Sequence, residues 1–260
     1  MKLAVLQYDI VWEDKKKNLE YVEEALDRAE VAFDLLVLPE MFATAFTVDN
    51  ANSLAETDDG GTMQTMTKLA MKHKCAICGS FIAKEEGKLY NRAFFVTESG
   101  ERYFYDKRHL FSMGGEGKLF AAGKQNVLIK YKGWNIRMLI CYDLRFPVWS
   151  RNERCEYDLL IYMANWPTVR IAAWDTLLKA RAIENLSYVC GVNRVGKDGS
   201  GFDHNGHSCV ISPKGETELA FGDGEAALKV CEIDLDSLQK FRSKFPAWRD
   251  ADEFDVKTIV

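Results

Sequence analysis

The feature that most limits how this chain can fold is a series of short apolar runs, each too brief to be a helix and most of them ending abruptly on a polar residue. DLLVL at 34–38, NIRMLI at 135–140 and DLLIY at 158–162 carry apolar side chains at consecutive positions. Successive side chains of a strand point to opposite faces, so such runs need cover on both sides of their sheet. Strand patterns recur at 2–8, 34–38, 76–83, 89–96, 102–105, 126–131, 135–140, 158–162, 188–193, 207–211, 218–221 and 227–233. Helical periodicity falls between them. The segment 15–30 puts Leu19, Val22, Ala25 and Leu26 on one face, with Asp14 placed to cap it. Further helices are expected near 62–74 and 172–185, and a last one begins at Asp234 or Asp236 and ends before Phe245-Pro246. Glu86-Gly87 and Ser99-Gly100 supply hairpin turns. The opening unit reads β-α-β, and the whole predicts an α/β layered sandwich with its sheets buried under helices. No repeat, low-complexity tract or linker divides the chain, which predicts a single domain over 1–260.

Charge and composition narrow the function. Lys plus Arg number 34 against 39 Asp plus Glu, a formal charge of -5, which argues against nucleic acid as a partner. The longest stretch without a charged residue, 159–169, is 11 residues. A membrane helix requires about 20, so no membrane span is expected. The start, MKLAVLQYDI, enters a strand pattern directly and lacks the apolar core of a secretory signal. Seven cysteines, an odd number scattered among apolar residues, predict reduced thiols and a cytoplasmic location.

Three residues stand just past the ends of apolar strands: Glu40 in LLVLPE, Lys107 in RYFYDK and Cys141 in IRMLIC. In open α/β sheets the functional crevice lies beyond the carboxyl ends of the strands, where these three could meet. Each also has an ordinary reading, as a solvated loop carboxylate, a surface lysine and a small core thiol. What sets Cys141 apart is YDLRFP after it, a sharp change from apolar to polar with Pro147 suited to a new helix's first turn. A free thiol ionises near 8.5 and needs a base or a positive field to attack at neutral pH. Glu40 can take its proton, and Lys107 with a backbone N–H beside the thiol can hold an oxyanion. That combination suits acyl transfer.

The same positions carry a resemblance. LVLPEMF at 36–42, YDKRHLF at 105–111 and LICYDLRFP at 139–147 resemble, in order, the three signature segments of the nitrilase superfamily of carbon-nitrogen hydrolases. GGEGKLFAAG at 114–123, NWP at 165–167 and ARAIEN at 180–185 extend the match over nearly the whole chain. The resemblance implies a four-layer α-β-β-α sandwich, commonly paired into homodimers or larger homo-oligomers. It implies Glu40 as general base, Lys107 as oxyanion stabiliser, Cys141 as nucleophile and Glu116 as a second glutamate that positions substrate and lysine. The segments flanking these positions, including PEMFATAF and GVNRVG, are most similar to bacterial omega-amidases, which hydrolyse the terminal amide of 2-oxoglutaramate or 2-oxosuccinamate.

On this reading the thiolate forms a thioester, with Lys107 and the Tyr142 N–H holding the oxyanion, and neither metal nor organic cofactor takes part. The partner is a small-molecule amide. Its distal carboxylate calls for a planar cation, and Arg145 is the candidate, with Arg108 and Arg170 near the expected mouth. Asn165, Trp166, Phe42 and Phe111, with Phe46, are candidate pocket walls. Arg145 could instead make a structural ion pair with Asp143 or another acid, and the aromatics could be ordinary packing. Other signals are weaker. Cys75 and Cys78 have CxxC spacing but fall on opposite faces of a strand pattern. His204 and His207 sit in a Gly-rich stretch and read as satisfied loop or strand histidines. A Cys141–His109 hydrolase, a noncatalytic binding module and a nitrilase acting on triple bonds remain alternatives.

Overall fold

The computed structural model describes residues 1–256. The first half of the chain runs β1 (Lys2–Gln7), α1 (Lys15–Asp27), β2 (Leu35–Val37), α2 (Ala51–Leu54), α3 (Gly61–His73), β3 (Ala76–Glu85), β4 (Lys88–Val96) and β5 (Arg102–Asp106). The second half runs β6 (Leu128–Tyr131), β7 (Trp134–Ile140), α4 (Pro147–Ser150), β8 (Leu159–Met163), α5 (Ile171–Asn185), β9 (Tyr188–Val192), β10 (Val195–Lys197), β11 (Asp203–Asn205), β12 (Cys209–Ile211), β13 (Thr217–Ala220), β14 (Ala227–Glu232) and α6 (Leu235–Lys244). One six-stranded sheet has the order β14-β1-β2-β3-β4-β5 and the other β13-β12-β9-β8-β7-β6.

Each sheet has a parallel centre, β1-β2-β3 in one and β7-β8-β9 in the other, flanked by antiparallel strands. The alternation along β1 explains how the layers form. Leu3 and Val5 enter the core shared with the second sheet, while Ala4 and Leu6 pack under α1 and α3 against Val22, Leu26, Met66 and Leu69. On the far side α5 brings Trp174, Leu178 and Ala182 onto the second sheet. The layers are therefore α-β-β-α: the sequence patterns anticipated an α/β layered sandwich, and the resemblance its four layers.

Local chemistry fixes the boundaries. The Asp14 side chain accepts from the Lys17 N–H, and Asp234 from the Asp236 N–H, so both expected caps are present. Glu86 (φ 48°) and Gly87 (φ 77°) form the left-handed pair that a two-residue hairpin needs between β3 and β4. Pro147 opens α4. The β10–β11 ribbon lies in a stretch read from sequence as Gly-rich loop; its strands are three residues each and largely polar, so no apolar run reveals them. The helix expected over 15–30 stops at Asp27. Residues 257–260 of the acidic tail lie outside the described residues. Among the described residues no helix is long and apolar enough to cross a membrane.

Candidate active site

Glu40, Lys107 and Cys141 follow β2, β5 and β7, and the facing of the two sheets brings these strand ends together. Glu40 and Glu116 are fully buried and Lys107 is 1% exposed. The Lys107 ammonium donates to Glu40 Oε1 at 2.9 Å and to Glu116 Oε1 and Oε2 at 3.2 and 3.0 Å. Glu116 stands in a 3-10 turn, Glu116–Lys118, and its Oε2 also accepts the Phe111 N–H at 2.6 Å. Glu40 Oε2 accepts the Asn165 N–H at 2.9 Å, and the Asn165 side-chain amide donates to the Glu40 carbonyl at 2.5 Å. Asn165 therefore holds Glu40 from the end of β8.

Cys141 begins a 3-10 turn, Cys141–Arg145, in left-handed backbone (φ 42°), a conformation uncommon for a side chain with a Cβ. Cys141 itself is half-buried. Burial first, and then the Glu40 carboxylate, push its thiol well above its ordinary pKa, while Lys107 pulls the other way. The resting sulfur thus carries its proton. Burial disfavours the Lys107 ammonium, but Glu116 and Glu40 outweigh that cost and hold it above the ordinary lysine value. Lys107 is thus a cation at any working pH. As the second residue of the turn, Tyr142 has an N–H with no intrahelical carbonyl to pair with, free to point at a developing oxyanion.

Beneath this turn the fully buried Asp143 ties the two loops together. It accepts from the Ile140 N–H (3.0 Å), the Tyr105 hydroxyl (2.8 Å) and the His109 N–H (2.9 Å), and pairs with His109 Nδ1 at 2.8 Å. His109 stacks on Phe146 with ring centroids 3.8 Å apart. The charged groups that act on the Cys141 thiol are Glu40, Lys107 and Glu116, and His109 serves Asp143. Asp143 is therefore not the partner of Arg145. The Arg145 guanidinium lies 5.0 Å from the Trp166 ring, and Arg170 lies 5.3 Å from the Phe111 ring. Trp166 Nε1 donates to the Arg170 carbonyl at 2.8 Å, and Phe111 meets Tyr142 edge-on at 5.2 Å. Two cations are thus seated on aromatic faces beside the thiol's turn. Arg108 lies over Trp149 instead.

Phe42, expected on the pocket wall, is fully buried beside Phe94 at 5.9 Å and completes the core beneath α1 and α3. Phe46 is the aromatic that reaches the cluster, 5.4 Å from Lys107 Nζ. Cys75 and Cys78 separate into the outer and inner cores, as strand alternation requires. His204 pairs with Asp198, and His207 with Asp175 and Asp223. Two residues of the cluster escaped sequence reasoning: Ser80 and Asn91, both fully buried. Their signal was a polar residue inside the apolar patterns AICGSFIA and LYNRAFFV.

The family model described as carbon-nitrogen hydrolase matches residues 2–243. The chain is 44% identical to a protein named omega-amidase YafV from Escherichia coli (strain K12), over 98% of each. It is 32% identical to a protein named 2-oxoglutaramate amidase from Bacillus subtilis (strain 168), over 95% of this chain and 96% of that one. Among solved structures, XC1258 from Xanthomonas campestris, described as a CN-hydrolase superfamily protein with an arsenic adduct in the active site, superposes with a TM-score of 0.95 at 37% identity, covering 99% of both chains.

Proposed function

The chain belongs to the carbon-nitrogen hydrolase family, and from that premise we propose that it is an omega-amidase, hydrolysing the terminal amide of small dicarboxylate monoamides such as 2-oxoglutaramate and 2-oxosuccinamate to the dicarboxylate and ammonia. The observation that carries the chemistry is the buried cluster in which Lys107 bonds Glu40 and Glu116, with the Cys141 thiol in the field of all three charges. The substrate class is supported by the relatives named omega-amidase and 2-oxoglutaramate amidase.

In this reading Glu40 takes the thiol proton as sulfur attacks the amide carbon. The negative charge on the carbonyl oxygen is met by Lys107 and the Tyr142 N–H, each such donor contributing roughly 2.7–4 kcal/mol. The tetrahedral intermediate collapses, the C–N bond breaks and ammonia leaves with the proton returned by Glu40. A water activated by Glu40 then attacks the thioester, restoring the thiol and releasing the acid. Glu116 keeps Lys107 aimed. In this reading Arg145, whose guanidinium lies 5.0 Å from the Trp166 ring, takes the distal carboxylate, with Asn165 and Phe111 bounding the pocket. The enzyme is assigned to the cytoplasm, where its cysteines remain thiols, and to a homodimer or larger homo-oligomer.

The test is an ammonia-release screen over monoamides of dicarboxylates, other small amides, carbamoyl compounds and nitriles. The expected outcome is preference for 2-oxoglutaramate and 2-oxosuccinamate, no turnover by Cys141→Ala, and a raised KM in Arg145→Lys. Full turnover by Cys141→Ala would overturn the mechanism, and preference for a nitrile would overturn the substrate class.

A further inference from the structure

A fully buried polar side chain inside a sheet is costly unless its polar atoms are paired. Asn91 in β4 and Ser80 in β3 are such residues, and their polar atoms converge on the catalytic cluster. One nitrogen, Asn91 Nδ2, donates to Glu40 Oε1 at 2.8 Å and to Glu116 Oε1 at 3.1 Å. Its Oδ1 accepts from the Ser80 hydroxyl at 3.0 Å, and Ser80 Oγ accepts in turn from the N–H of Met41, the residue after Glu40, at 2.8 Å. The two carboxyl groups fix which end of the amide faces them, because turning it would set oxygen against two acceptor oxygens, whereas the Ser80 hydroxyl can donate or accept.

We propose that Asn91 is a positioning residue for the base: a neutral donor that holds Glu40 Oε1 against Lys107 and leaves Oε2 with the capacity to receive the thiol proton. The groups that face Glu40 are Lys107 beyond β5, Glu116 from its 3-10 turn, Cys141 beyond β7 and the Asn165 N–H beyond β8. Glu116 has no direct contact with Glu40 among these bonds, and the two are joined through the donors they share, Lys107 and Asn91. Asn91 is a second donor to the same Oε1 atoms of Glu40 and Glu116 that Lys107 bonds, and it adds that restraint without adding charge. A second cation there would stabilise the Glu40 anion too strongly for it to accept a proton, and a third carboxyl group would repel it. The inference rests on the reading of Glu40 as the general base.

The experiment measures ammonia release from 2-oxoglutaramate against pH for wild type, Asn91→Ala, Asn91→Asp and Ser80→Ala, with Glu40→Gln as control. Loss of one hydrogen bond to a charged group predicts kcat lowered about 10- to 100-fold in both Asn91 variants with KM little changed. The acidic limb of the kcat profile is expected to move up by about one pH unit, since the carboxylate has lost a donor or gained a like charge. Ser80→Ala, which unpins the amide, is expected to move both readouts in the same direction by less. Asn91 variants that fold, keep kcat within about twofold and leave the acidic limb in place would overturn the proposal while an inactive Glu40→Gln keeps the base assignment standing. Should the Asn91 variants not fold, an unmoved limb in Ser80→Ala overturns it. An active Glu40→Gln overturns the base assignment and this inference with it.

Discussion

At the scale of single residues, the site solves an electrostatic problem by sharing. Two carboxyl groups, one ammonium and one thiol lie together out of water, and unpaired they would each be expensive to bury. Lys107 divides its donors between Glu40 and Glu116, and Asn91 does the same without charge. Burial first, and the Glu40 carboxylate second, make the thiol keep its proton at rest. That separates this site from cysteine enzymes that hold a preformed thiolate, and it has a pH consequence. A group whose pKa is raised ionises at higher pH than its free counterpart, and an ordinary thiol is half ionised near 8.5. Alkylation of Cys141 by iodoacetamide, followed by mass spectrometry of its peptide, is expected to keep accelerating beyond about pH 9, where an ordinary exposed thiol would level off. A plateau near neutral pH would show a resting thiolate instead.

At the scale of elements, function depends on how closely helices and strands approach. Gly191 in β9 lies under α5, where an added Cβ would stand 2.4 Å from Leu178 Cδ1 and 2.9 Å from Trp174 Cζ2. Gly191→Ala should therefore overpack the junction and destabilise by about 1–3 kcal/mol, read as a lower melting temperature. Because Trp174 packs on Trp166 at 5.6 Å, Arg145 loses its support as well, so KM is expected to rise more than kcat falls. An unchanged melting temperature would show that α5 yields freely. The same element scale decides what sequence reveals. Strands buried on both faces, such as β2 and β8, declare themselves by consecutive apolar residues, and Glu40 and Cys141 stand out because each breaks such a run at its end. The β10–β11 ribbon has no such contrast. Asn91 and Ser80 were visible as anomalies, yet their meaning lies in a register, Asn91 opposite Ile82 and Ser80 opposite Ala93, and in carboxyl groups from distant segments. The side of its sheet that Phe42 joins was equally unreadable, since either core would accept an aromatic ring.

At the scale of the whole molecule, the site exists only where the sheets face each other, with Glu40 and Lys107 from one and Cys141 and Asn165 from the other. The sheets share one continuous core that includes Val5, Val37, Met138 and Ile161. We therefore expect 1–260 to unfold as one domain, with urea transitions followed by tryptophan fluorescence, circular dichroism and amidase activity coinciding. Two separated transitions would show that the halves fold independently. The first sheet is completed late in synthesis. Lys2 pairs with Glu232 and Gln7 with Ala227, so β1 waits for β14 while everything between them is translated. Until then the apolar β1 is itself a sheet margin with open amides and carbonyls, a place that β14 later takes, and such a margin is a template on which strands of neighbouring nascent chains can add. A circular permutation that places β14 directly before β1 is therefore expected to shorten that exposure, read as less aggregate in cell-free synthesis.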